Sequence, residues 1–264
     1  MGTHEVVTNR KAQMVFPDLV PQGELERKPF GGIFKRRASV ASALDVQVAP
    51  TLDTHSEKRP KAAPAPGLNI RTTSLSVQNM HHFGELFVDF LKARHEVFVV
   101  QKGWKLPETD GMEFDQYDTP LARWIVVHDY GCVLAGVRIA PTTALCGNHS
   151  YMLRDAQLGL LKGLPEDLLY EEAPVADHIW EATRLFVSDS VPSERRLAVQ
   201  HILMNGMASA ARAVNATHVI GIVPAVFKRW LQRMGMTATA MGPVMQIDGD
   251  RVQAALMNVV DYAS

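Results

Sequence analysis

HIWEATRLFVSD, residues 178–189, is the stretch that decides the fold of this chain. Its aromatic and branched residues are typical of a buried strand, but two charged residues, Glu181 and Arg184, interrupt it. Residues three apart in a regular strand face opposite sides of the sheet, so both side chains can reach one site only across a bulge. The sequence therefore predicts a β-bulge near Ala182 or Thr183.

The residues before this strand predict a hairpin and a helix. RWIVVHD at 123–129 and CVLAGVRIAP at 132–141 are strand-like runs, and the turn-prone pair Tyr130-Gly131 separates them. They are expected to form an antiparallel hairpin. Further upstream, apolar residues recur at helical spacing and predict a helix over about 80–98.

The residues after it predict a β-α-β unit. A long helix is expected over 194–214, preceded by the capping-type residue Ser193. THVIGIVP at 217–224 is typical of a buried strand, and 225–235 of a helix that ends at Gly235. One or two short strands complete the chain. The long helix has an apolar stripe of Leu197, Ile202, Leu203, Met207 and Ala211.

The first 75 residues differ from the remainder. They contain scattered prolines, the basic run KRR at 35–37 and the stretch EKRPKAAPAPG at 57–67. Alternating Pro and Ala without an amphipathic period indicate a semi-extended linker, and the basic run is interpreted as a solvated cluster rather than a contact for an anionic surface. We expect 1–75 to be a flexible N-terminal extension and Pro/Ala-rich linker, and 76–264 to be a packed α/β domain.

Composition narrows the class of function. The chain is 47% hydrophobic and 21% charged with a net charge of −1, so a nucleic-acid partner is not expected. No apolar run approaches the roughly 20 residues of a membrane span, and the first residues lack the apolar core of a signal peptide, so cytoplasm is the expected compartment. Cys132 and Cys146 have no CxxC or Cys/His spacing, so no metal site is expected.

Charged residues stand out in two places. The segment 93–118 is long and irregular yet aromatic, which favours a functional loop over disorder. Its acids could join an ion network or merely brace a turn, and the sequence leaves both open. Arg138 lies in an otherwise apolar strand and needs an anionic partner or a solvent-facing edge. The candidate residues of the segment are Arg94, Phe98, Trp104, Asp115 and Asp118.

These residues stand in the order of a known family. The strings EFDQYD at 113–118, GVRIAP at 136–141, YML at 151–153 and IWEATR at 179–184 follow the spacing R-x3-F-x5-W that begins at Arg94. Over about 80–240 the chain closely resembles the acyl-homoserine-lactone (autoinducer) synthases of bacterial quorum sensing.

The resemblance implies an α/β fold like that of the N-acetyltransferases (GNAT). This is a three-layer α/β/α sandwich whose twisted mixed sheet is split into a V and whose central strand is bulged. It also implies an acyltransferase in which the amine of S-adenosylmethionine attacks an acyl thioester on acyl carrier protein or coenzyme A. Attack of the methionine carboxylate then forms the lactone and releases methylthioadenosine. S-adenosylmethionine is a substrate here, and no cofactor is implied.

The resemblance also implies roles for individual residues. Glu181 is the candidate general base, acting directly or through a water, and the bulged strand supplies an oxyanion donor. Phe98 and Trp104 would enclose the adenosyl or the sulfonium part of S-adenosylmethionine. The remaining charged residues would surround its amino-acid part, although Arg138 and Arg184 could instead pair only with protein carboxylates. This charged set comprises Arg94, Asp115, Asp118, Arg138 and Arg184.

Four further positions bear on the two substrates. Thr183 stands where the family usually has Ser, and Gly221 where members that prefer 3-oxo acyl chains often have Thr, which favours an unsubstituted chain. Arg195 and Arg196, at the start of the long helix, are candidates for binding the donor's phosphates. Two alternatives remain: a GNAT-like enzyme that makes N-acyl amino acids without forming a lactone, and a catalytically silent homologue.

Overall fold

A computed structural model describes residues 69–233 and 235–262. The basic run at 35–37 and the Pro/Ala stretch at 57–67 lie outside the described residues. Residues Ile70–Leu75, which the sequence assigned to the extension, form a strand of the sheet. The folded domain therefore begins before the predicted boundary at 76.

Nine strands form two sheets in the described part of the chain. The large sheet is mixed and has the order β1-β4-β5-β6-β7-β9-β8, while β2 and β3 pair as a small separate hairpin. The predicted hairpin of β4 and β5 is confirmed with its bounds. The strands are β1 (Ile70–Leu75), β2 (Glu108–Thr109), β3 (Met112–Glu113), β4 (Arg123–Asp129), β5 (Cys132–Pro141), β6 (Ile179–Val187), β7 (His218–Pro224), β8 (Ala238–Ile247) and β9 (Asp250–Asn258).

The helices are α1 (Leu86–Arg94), α2 (Met152–Gln157), α3 (Ser193–Ala213) and α4 (Phe227–Arg233). Alternate residues of β4 bury against different helices, as the period of two requires. Ile125 and Val127 share a core with α3, whereas Trp124 and Val126 share a core with Phe90 of α1. The sheet is thus covered on both faces, and the α/β/α sandwich is confirmed. No helix within these ranges is both long and apolar enough to cross a bilayer.

The predicted bulge exists, but one to two residues later than expected. Gly136 of β5 pairs with Phe186 of β6, and Arg138 pairs with Thr183. One residue of β5 is therefore opposite two residues of β6, Arg184 and Leu185. Arg184 has φ of 55°, the left-handed conformation that bulges and turns admit.

The V-shaped split lies between β6 and β7. The two strands pair in parallel only where Ile179–Glu181 are opposite 218–220, and they separate beyond that point. At the point of separation, a Cβ atom on Gly221 would lie 2.8 Å from the backbone oxygen of Ala182. Glycine is needed there because the backbones approach so closely.

Three local predictions were wrong. The helix over 80–98 is divided into a 3₁₀ turn at Met80–Phe83, α1 and a π-helix at His95–Gln101. Gly84, with φ of 59°, leaves the helical region and separates the 3₁₀ turn from α1. Ser193 is the first residue of α3 rather than its cap, which is Pro192.

The predicted stripe on α3 also begins too early, since Leu197 is 56% exposed. At the C-terminal end, the expected short strands are the ten-residue β8 and the nine-residue β9, which pair with each other. They extend the sheet beyond β7 and close one side of the split.

We expect Gly221→Ala to lower the free energy of unfolding by about 1–3 kcal/mol, because the added methyl group collides with backbone that cannot rotate away. Thermal unfolding of the purified variant measures this. An unchanged midpoint would mean that β6 and β7 have room for a side chain here.

Candidate active site

The main cavity occupies the split of the sheet. It has a volume of about 680 Å³ and lies between residues 182–187 of β6 and 222–224 of β7. The π-helix and the loop that follows it form another wall. Five of the predicted site residues line it: Phe98, Trp104, Thr183, Arg184 and Arg196.

Phe98 and Trp104 form the aromatic wall of this cavity. Their ring centroids are 5.2 Å apart and the planes are tilted by 21°, a stacked arrangement. The chain reverses between them at Gly103, with φ of 67°, and the Trp104 N–H donates to the Phe98 carbonyl at 2.9 Å. These contacts bring the two aromatic residues together at one surface of the cavity.

A buried network of six charged side chains lies behind that wall. Arg94 donates from Nε to Glu113 at 2.6 Å and binds both carboxylate oxygens of Asp118 at 2.7 and 3.0 Å. Arg138 binds both oxygens of Asp115 at 2.5 and 3.2 Å. Arg184 binds Asp115 at 2.9 Å and Glu113 at 3.2 Å, which completes a neutral set of three arginines and three acids.

The pairing within the network offsets the cost of burial. Arg94, Arg138 and Glu113 have no exposed surface. Burial alone would raise the pKa of Asp118, but Arg138 and Arg94 beside it hold that pKa well below its usual value. Arg138 and Arg184 likewise lower the pKa of Asp115 against the effect of its burial. The two aspartates therefore stay ionised beside the arginines, and the loop is tied to the sheet.

The network answers two questions that the sequence left open. The two aspartates join an ion network instead of only bracing a turn, and Arg138 has an anionic partner instead of an exposed edge. Arg184 is the member that lines the main cavity among the described residues. The other predicted members, Arg94, Asp115, Asp118 and Arg138, support the wall from behind.

Glu113 was missed by the sequence reasoning. It is completely buried and bridges Arg94 to Arg184. The signal was available, because Glu113 lies two residues before Asp115 and would share its side of an extended segment. Asp155, a buried acid in α2, was missed as well, and the sequence around it gave no comparable signal.

Glu181 is buried in β6 and only 2% exposed. Its two oxygens accept backbone N–H groups at the start of α2, from Met152 at 2.9 Å and from Leu153 at 2.7 Å. Burial raises the pKa of Glu181 to about 7, and the two backbone hydrogen bonds oppose that rise. A carboxyl group in this position exchanges a proton near neutral pH.

Glu181 does not face the main cavity directly. It lines a second cavity of about 10 Å³, room for about one water, together with Tyr117, Ser150 and Tyr151. Thr183 lines both cavities, and its hydroxyl oxygen accepts a bond from Arg138 Nε at 3.0 Å. Thr183 thus stands between the carboxyl group and the main cavity.

The remaining candidates divide into two groups. Arg196 lines the main cavity, and its guanidinium donates to the carbonyls of Ser188 and Val187 at 3.3 Å. Arg195 and Gly221 are not part of that lining within the described residues. Gly221 does not line the cavity because a side chain at this position would point at the Ala182 carbonyl rather than into open space.

Known proteins of one family are similar to this chain in sequence. The family model described as autoinducer synthase matches residues 78–264. A curated acyl-homoserine-lactone synthase of Ralstonia solanacearum is 32% identical over 173 residues, 63% of this chain and 78% of that protein. One of Acinetobacter nosocomialis is 30% identical over 187 residues, 68% of this chain and 96% of that protein.

Solved structures are similar in fold. TofI, in a ternary complex with an inhibitor and MTA, has a TM-score of 0.58 and 26% identity over 73% of this chain and 94% of its own. The synthase LasI has a TM-score of 0.60 and 23% identity over 73% of this chain and 91% of its own. With the family model covering more than half of its length, this chain belongs to the autoinducer synthase family, the acyltransferases that make acyl-homoserine lactones.

Proposed function

We propose that this protein transfers an acyl group to the amine of S-adenosylmethionine in the split of its sheet and then closes the homoserine lactone. In the first step the N–C bond forms, the thioester C–S bond breaks and the carrier thiol leaves. In the second, the methionine carboxylate displaces methylthioadenosine from the sulfonium carbon. The reaction needs no cofactor, and because its substrates are made in the cytoplasm we place it there.

The observation that carries the proposal is that Glu181 lies next to the main cavity, with Thr183 between the two. The attacking amine must be neutral, so a group that takes a proton near pH 7 suits the step. Its carboxyl group has that proton affinity, since burial raises its pKa to about 7. The small cavity beside it has room for the water that would relay the proton.

Phe98 and Trp104 are the proposed walls for S-adenosylmethionine. A sulfonium cation is attracted to the face of an aromatic ring, and two stacked rings at the cavity surface offer such faces. The TofI complex contains MTA, which has the chemistry of the proposed leaving group. The charged network then keeps these walls in place behind the ligand.

The bulge of β6 is the proposed oxyanion site. A bulge interrupts the ladder of backbone hydrogen bonds, and this one lies at Arg184 and Leu185, both of which line the main cavity. A backbone N–H there would donate to the thioester oxygen as negative charge develops on it. This requires no movement of the sheet during the reaction.

The donor end of the cavity is proposed to lie near α3. Arg196 lines the cavity at the start of that helix, with Arg195 beside it, so phosphate groups of the donor's pantetheine arm would meet positive charge. Acyl carrier protein and coenzyme A both carry this arm. Gly221 lies beside this cavity rather than in its lining and offers no hydroxyl, and we propose an unsubstituted acyl chain.

The test is to incubate the purified full-length protein with S-adenosylmethionine and a panel of acyl-carrier and acyl-coenzyme A donors. We expect stoichiometric methylthioadenosine and a lactone whose acyl chain lacks a 3-oxo group. An N-acyl amino acid without methylthioadenosine would support the related acyltransferase instead. No turnover with any donor would contradict the proposal.

We expect Glu181→Gln to lower kcat for acylation at least about a hundredfold, the usual contribution of a positioned base. The acid limb of the wild-type kcat profile, near pH 7, should disappear in the variant. The control is Glu166→Gln, which removes an exposed carboxylate. A folded Glu181→Gln variant with near-normal rates would remove Glu181 as base.

We expect Arg94→Lys to lower the free energy of unfolding by about 3 kcal/mol, because one ammonium group cannot pair with Glu113 and Asp118 in the same geometry. Urea unfolding measures the change. Lys92→Met, on the exposed face of the same helix, is the matched control and should have little effect. Equal stability of the two variants would show that the network does not anchor the loop.

A further inference from the structure

Asp155 is a fully buried acid in α2 to which the mechanism above gives no task. Its Oδ1 accepts the backbone N–H of Ser150 at 3.0 Å, and its Oδ2 accepts the hydroxyl of Tyr117 at 2.8 Å. The Nδ1 of His149 lies 2.9 Å from the same Oδ2. A buried carboxylate with this many partners fixes the backbone and side chains around it.

The backbone that Asp155 fixes is the backbone that holds Glu181. Its carboxylate accepts the N–H of Ser150, and its own N–H donates to the Tyr151 carbonyl at 2.9 Å. Asp155 therefore holds the backbone of Ser150 and Tyr151 from two sides. The next two amides, of Met152 and Leu153, donate to Glu181. A displacement of Asp155 therefore also displaces the two backbone N–H groups that donate to the Glu181 carboxylate.

Tyr117 connects the same acid to the charged network. Its hydroxyl donates to Asp155, and its backbone N–H donates to Asp115 at 2.9 Å. Burial and the neighbouring Asp155 raise the pKa of Tyr117, so its hydroxyl remains a donor. A continuous series of hydrogen bonds thus runs from Arg138 and Arg184 to the segment that holds Glu181.

We propose that Asp155 is a positioning residue for the acylation step. It keeps the backbone N–H groups of Met152 and Leu153 hydrogen-bonded to the Glu181 carboxylate. Through Tyr117 it also fixes the position of these groups relative to the charged network. The proposal rests on the proposed role of Glu181 as base.

The consequence is a shift in the proton affinity of Glu181. Hydrogen bonds to the ionised form of a carboxyl group lower its pKa, so weaker bonds from the two amides raise it above about 7. The other groups that face Glu181 are Arg138 on β5, Asp115 in the loop, Tyr117 and Tyr151. Tyr117 is the one of these that contacts Asp155 directly, whereas Arg138, Asp115 and Tyr151 keep their own partners when Asp155 is changed.

The experiment compares the pH profile of kcat for wild type and Asp155→Asn at saturating substrates. Asparagine keeps the shape and the acceptor for Ser150 but loses one acceptor oxygen facing Tyr117 and His149. We expect the acid limb to move up by about one unit, which is about a tenfold lower rate at pH 6 and a rate within about twofold of wild type at pH 9. KM for S-adenosylmethionine should not change.

The controls separate this from general damage. Asp167→Asn removes an exposed acid beyond α2 and should leave the limb in place. Tyr117→Phe removes a single hydroxyl and should shift the limb in the same direction by a smaller amount. If Asp155→Asn does not unfold cooperatively, Tyr117→Phe decides the question. A loss that is equal at every pH, with an unshifted limb, would overturn the proposal.

Glu181→Gln is measured in parallel so that the two proposals fail separately. If Glu181→Gln is inactive and the limb of the folded Asp155 and Tyr117 variants stays at its wild-type position, only the positioning role is wrong. If Glu181→Gln retains near-normal rates, the role of Glu181 as base is wrong and the positioning role is overturned with it.

Discussion

The pairing of three buried arginines with three buried carboxylates holds the active site together. The arginines come from the end of α1, from β5 and from the bulge of β6, whereas all three acids come from one short segment, 113–118, at and after the end of β3. An unpaired charge at such depth costs several kcal/mol, so the loop cannot leave the sheet without a large penalty. The stacked aromatic wall of Phe98 and Trp104 depends on that attachment, because it lies in the chain between Arg94 and these acids, which the network ties together.

The split of the sheet forms the main cavity that this network borders. β6 and β7 pair over three residues and then separate, and Gly221 allows the close approach just before they do. The bulge in β6 turns Arg184 toward the acids while its neighbours continue to line the cavity. One irregular strand therefore supplies the opening, a charged partner for the network and the proposed oxyanion site.

Two opposing effects act on the pKa of Glu181 and leave it near neutral pH. Burial favours its protonated form, and the two backbone amides favour its ionised form. Together they leave the pKa of Glu181 at about 7, in the range in which a base is useful at neutral pH. The balance depends on the position of a short backbone segment, which is why a second buried acid, Asp155, matters to the proposed chemistry.

The sequence by itself determined the strands of the central hairpin, the long helix and the family, because alternation, helical spacing and motif order are local or linear properties. It also required a bulge between two charged residues of one strand. Only the tertiary structure decided where that bulge lies, that Glu113 completes the ion network, and that Thr183 separates Glu181 from the main cavity. These features depend on strand register and on contacts between residues far apart in the chain, and no local pattern encodes them.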